Sequence, residues 1–139
     1  MPITKEHTSL VDFADGMIAG LIRNGETDLD ETDRTKLHQA FVAAFEFTKT
    51  ELAPGELGFG MTTHKVYGTT ANVDQLLDYW VRVGFSVKDR NSTAHRFLIN
   101  RNDADEMLET LTGGSDLYDK VAAELIRCLN APLPVTAKA

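Results

Sequence analysis

Apolar residues recur at helical spacing along most of this chain and alternate with polar ones over one short stretch. Leu10, Phe13, Ala14, Met17, Ile18 and Leu21 form the first stripe and predict a helix over 8–23. Gly16 and Gly20 lie four apart on it. With Asp12, Asp15 and Arg23 alongside, they predict close approach of another helix rather than a membrane span. Gly25 ends the stripe. In the acidic run 26–33, Asp30 or Thr32 is placed to cap a second helix that reaches about Leu52. Leu37, Phe41, Ala44, Phe45 and Thr48 are its main stripe, and Ala40, Val42 and Phe47 widen it to more than one buried side. The first two helices are expected to pair as an antiparallel hairpin.

The loop around Pro54, Gly55, Gly58 and Gly60 is the clearest break, and the β-rich run from Met61 to Tyr67 predicts a strand after it. Asn72 with Gln75 fits a capping box. Val73, Leu76, Leu77, Trp80 and Val83 then return to helical spacing, and Gly84 sits where a left-handed stop is expected. From Phe85 the period changes to two. Two β-rich runs flank Asn91-Ser92 and predict a hairpin over 85–100. With Phe85, Val87, Phe97 and Ile99 turned inward, Lys88, Arg90 and Arg96 are expected to share the outer face. Asp103 with Glu106 starts a fourth helix through Met107, Leu108 and Leu111, which Gly113 and Gly114 stop. Ser115 caps a fifth, carrying Leu117, Val121, Leu125, Cys128 and Leu129, and Pro132 and Pro134 end it. The expected fold is one α+β domain over 1–131. It has an N-terminal helix hairpin, a small antiparallel sheet of two or three strands, two C-terminal helices and a flexible tail, 132–139.

Composition changes this picture little. A chain of 139 residues, 42% hydrophobic and 25% charged, suits one ordinary globular core. The single cysteine, Cys128, excludes an intramolecular disulfide and fits a reducing compartment. The first residues lack the basic-then-apolar order of a secretory signal, and no apolar run approaches the ~20 residues of a bilayer span. A cytoplasmic protein is expected.

Charge changes it more. The net charge of −7 argues against general affinity for nucleic acid or anionic membranes. Its distribution is uneven, with 5 basic and 11 acidic residues up to Thr63, 6 and 3 from His64 to Arg101, and 3 and 7 beyond. The hairpin is thus a basic island in an acidic chain. Lys88, Arg90, Arg96 and Arg101, with the neighbouring Tyr79, are the candidate partner-binding residues.

Candidate chemistry is sparse. Gly55, Gly58 and Gly60 match neither a dinucleotide fingerprint nor a P-loop. Asp28, Asp30 and Asp33 lack the glycine and terminal Glu of an EF-hand. The histidines, His7, His38, His64 and His95, show no metal-ligand spacing, and one cysteine builds no thiolate site, so neither metal nor cofactor is implied. His38, beside the second stripe, reads as a partly buried core histidine. His64 and His95 fall on predicted strands and are the candidate pair for ligand binding or proton transfer. Cys128 lies on an apolar stripe and reads as an inert core thiol, and Trp80 reads as core.

These features favour a non-enzymatic interaction protein, an accessory factor or inhibitor of the kind mobile elements encode. It would act by protein–protein docking and have faces suited to a homodimer. Two alternatives belong to other classes. One is a winged-helix-like nucleic-acid-binding protein using the basic 85–101 hairpin, although Asp74 and Asp78 fall on the exposed side of the preceding helix. The other is a small-molecule-binding domain or enzyme with a site near His64 and His95.

Overall fold

In the computed structural model, residues 8–52, 56–61, 70–88 and 91–130 are described. The elements run α1 (Leu10–Arg23), β1 (Asp28–Asp30), α2 (Arg34–Glu51), α3 (Ala71–Arg82), β2 (Ser86–Lys88), β3 (Ala94–Phe97), α4 (Arg101–Glu109) and α5 (Gly114–Asn130). The arrangement is the predicted one in outline: a helix-rich α+β fold with helices at both ends and a three-stranded antiparallel sheet. Among the described residues no helix is long and apolar enough to cross a membrane.

Side-chain caps set the helix starts. Ser9 and Asp12 form a reciprocal capping box on α1. Asp33 caps α2 by accepting from the Lys36 amide at 3.1 Å, slightly later than the predicted Asp30 or Thr32. Asp30 is engaged elsewhere, accepting from the hydroxyls of Thr32 and Thr93, which hold its carboxyl below the usual range. Thr70 caps α3, two residues before the predicted Asn72. Gly84 takes φ 83°, the left-handed stop expected after α3.

The core forms around α5. This helix packs along both α1 and α2. The two N-terminal helices touch through Phe13 and Phe45, whose rings meet edge-on at 6.2 Å. They are therefore bridged by the last helix more than closed on each other as a hairpin. The close approach predicted from Gly16 and Gly20 is made with α5: a Cβ on Gly16 would enter the Tyr118 ring, and one on Gly20 would meet the Tyr118 carbonyl. Trp80 is fully buried between Phe41 of α2 and Phe97 of β3, and its indole N–H donates to the Ala14 carbonyl of α1 at 2.9 Å.

The sheet order is β1-β3-β2. The third strand comes from Asp28–Asp30, inside the run read as capping acids; the strand predicted from Met61 to Tyr67 lies, except for Met61, outside the described residues. β1 carries a single buried residue, Leu29, between two exposed aspartates, so its period-two signal is too short to read. The register corrects the predicted faces of the hairpin. Lys88 pairs with His95, and Val87 pairs with Arg96. Directly opposed residues share a face, so Lys88 and Arg96 lie on opposite sides of the sheet. The small Ser86 takes the buried position of β2 and Val87 turns outward, because Phe85 precedes the ladder and packs edge-on against Tyr79 instead. Arg90 and the tail 132–139 lie outside the described residues, as does His64.

Candidate functional site

Two features stand out, an apolar cleft between α1 and α3 and a polar cluster where α2, α3 and the sheet meet. The cleft has a volume of about 250 Å3. Ala14 and Leu76 form its floor, Leu10, Val11 and Tyr79 its sides, and Gln75 and Arg82 its rim. It exists because both helices turn an apolar stripe inward while Val11 and Tyr79 sit at the stripe edges. Tyr79 is half-buried, and its hydroxyl donates to Asp15 at 2.8 Å. Burial and then that carboxylate push the phenol up to about 12, so the ring stays neutral and fixed in place. The cleft is walled by apolar groups with a polar rim.

Exposed large apolar residues also gather at the C-terminal end of α3. Val81 and Val83 are on its last turn and exit, and Leu98 is tied by its amide to the Phe85 carbonyl. Val11 is exposed at the cleft itself.

The basic hairpin is not a free cationic surface. Lys88 reaches Glu31 at 2.5 Å, and Arg96 sits directly opposite Asp28 in the ladder. Elsewhere Arg34 grips Asp74 through two bonds of 2.7 and 2.6 Å, Arg23 joins Asp105 and Asp119, and Arg127 holds Glu124. Arg101 is exposed as the first residue of α4. Of the predicted partner-binding residues, then, the structure sets Tyr79 in the cleft and separates Lys88 from Arg96.

The polar cluster lies where α2, α3 and the sheet meet. His95 is buried, with Nε2 3.3 Å from Glu31 and Nδ1 without a hydrogen-bond partner among the described residues. Burial opposes the charge on Glu31, but Lys88 and His95 outweigh it and hold the carboxyl below its usual range. His38 is wholly buried; Nδ1 accepts from the Thr70 amide at 2.9 Å, and Nε2 lies 3.6 Å from Asp74. The sequence placed His38 beside an apolar stripe but offered no sign of its partners, which come from positions 32 and 36 residues away. Among the described residues no group of three or more His, Cys, Asp or Glu is placed to hold a metal ion. Cys128 is half-buried beside Glu124, and its thiol is pushed up by burial, which favours the protonated form.

No family model, no curated protein and no solved structure matches this chain.

Proposed function

We propose that this chain is a non-enzymatic interaction protein that docks another protein through the α1–α3 cleft. The observation that carries the reading is the cleft itself: apolar walls, a fixed Tyr79 and an exposed Val11 at its edge. An apolar anchor from a partner would fill the floor over Ala14 and Leu76, with Arg82 and Gln75 as polar rim. An accessory or inhibitory role suits a small acidic domain of this kind.

The test is capture of a binding partner by wild type and by Val11→Asp and Gln75→Asp at the cleft, with Asp116→Asn at the start of α5 as control. Exposed substitutions should leave the melting temperature nearly unchanged. Affinity for the captured partner should fall at least ~30-fold in Val11→Asp, as for a hot-spot contact. Undiminished binding by both aspartate variants would overturn the reading.

One observation favours a second reading. The order α1, β1, α2, α3, β2, β3 with strands lying β1-β3-β2 is the topology of winged-helix domains. In such a domain α3 would enter the DNA groove and the hairpin would flank it. The exposed residues of α3 are Ala71, Gln75, Asp78, Val81 and Arg82, and Arg82 lies 3.8 Å from Asp78. That face suits a protein better than phosphates. Fluorescence anisotropy with DNA and RNA duplexes at about 50 mM salt is therefore expected to show no binding. Binding that a Lys88/Arg96/Arg101→Glu variant loses would promote the second reading.

A further inference from the structure

We propose that the hydrogen bond from the Thr70 amide to His38 is an acid-released latch that holds the start of α3 against α2. The geometry leaves His38 one neutral form. Nδ1 accepts from the Thr70 N–H at 2.9 Å, so the ring proton sits on Nε2, facing Asp74 at 3.6 Å. A second proton must go on Nδ1. Two N–H groups then point at each other, and the bond is lost. His38 and Thr70 are both buried, so water has no ready access to replace it. Thr70 is the N-cap of α3, accepting from the Asn72 amide, so its displacement frees the first turn of that helix.

The charged groups facing His38 among the described residues are Asp74 from α3, Arg34 from its own helix and Glu31 from the turn before α2. Burial disfavours the imidazolium most; Asp74 and Glu31 favour it, and Arg34 opposes it. Asp74 is already gripped by Arg34 through both its oxygens. The net result holds His38 below its ordinary 6.5. A base depressed in the folded state binds its proton more readily when released. The latch is therefore fully closed above about pH 6.5 and opens as pH falls through the lower folded value.

The test is amide hydrogen exchange at Thr70, Asn72 and Val73 from pH 7.5 to 5 (~two and a half pH units), corrected for intrinsic rates, with the His38 ring nitrogens followed by NMR. Protection is expected to fall by up to about tenfold per pH unit between about pH 6.5 and the lower midpoint of the folded imidazole, and to level off below it, in step with protonation of Nδ1. In His38→Asn, whose side-chain oxygen still accepts but does not titrate, protection should be independent of pH. Loss of protection that persists in His38→Asn would assign the effect to another group and overturn the latch. So would unchanged protection in wild type. If His38→Asn does not fold, the wild-type midpoints decide: coincidence of ring protonation with Thr70 exposure supports the latch, and separation overturns it.

Discussion

A Trp80→Ala variant should unfold about 3–5 kcal/mol more easily than wild type. Trp80 has no exposed surface, and its one side chain joins three layers. Its ring lies against Phe41 of α2 at 6.4 Å and against Phe97 of β3 at 5.9 Å. Its N–H reaches the α1 backbone at Ala14. Alanine removes the ring contacts and the hydrogen bond together and leaves a large cavity among groups that cannot close over it. Trp80→Phe separates the two effects. It keeps much of the volume and loses the N–H bond, worth about 1 kcal/mol, and should fall between wild type and alanine. Urea unfolding followed by circular dichroism measures both. A loss under about 1 kcal/mol in the alanine variant would mean that the three layers do not meet at this residue.

A Gly20→Ala change should destabilise the protein by about 3 kcal/mol, against the direction that helix propensity dictates. In an ordinary helix interior the same replacement gains about 1 kcal/mol. Here the added Cβ would overlap the Tyr118 carbonyl oxygen and sit 2.9 Å from the Ala122 Cβ. A backbone oxygen cannot swing aside as a side chain can, so α1 and α5 must part. Gly16 faces the Tyr118 ring instead, which is fully buried and would overlap the new Cβ, so Gly16→Ala should also destabilise. Thermal melts of the two variants give the comparison. Stabilisation by Gly20→Ala would show that the helices are not in backbone contact there.

These two positions also show how far the residue pattern reached. The stripe with Trp80 inside it and the paired glycines on α1 were legible, because periodicity reports which side of a helix is buried and glycine reports close approach. Which helix approaches was not legible. Tyr118 lies some hundred positions from Gly16, and nothing local to either residue names the other. The caps of α2 and α3 were legible to within a few residues, since several polar side chains in each run had the right chemistry. β1 was hidden: Leu29 alone between Asp28 and Asp30 carries no measurable alternation, and its acids resemble a helix start. That same strand fixes the position of Asp28 opposite Arg96, so the missed strand and the overestimated basic face share one cause. The parity of β2 failed for a related reason. Phe85 and Val87 look like the inward pair until Phe85 is seen to precede the ladder.

The candidate site divides in the same way. Tyr79 was singled out as the more exposed of two adjacent aromatics, and it lines the cleft. The cleft itself was not foreseen, because it needs the side of α1 at Leu10 and Val11 to meet the side of α3 at Leu76. His38 beside its apolar stripe belongs to the core as expected, but wholly rather than partly buried. Its hydrogen bond to the α3 cap depends on a tertiary contact that no spacing encodes.

The packing of α5 on α1 has a further consequence during synthesis. Arg23 at the end of α1 bonds Asp119 on α5, 96 residues later. A ribosome releases the apolar side of α1 long before the helix that covers it exists. Until α5 emerges Phe13, Met17 and Ile18 have only partial shelter, and the nascent chain must stay unaggregated meanwhile. A chain stalled before α5 would therefore be a ready client for a chaperone that holds exposed helices, whereas the finished chain would not.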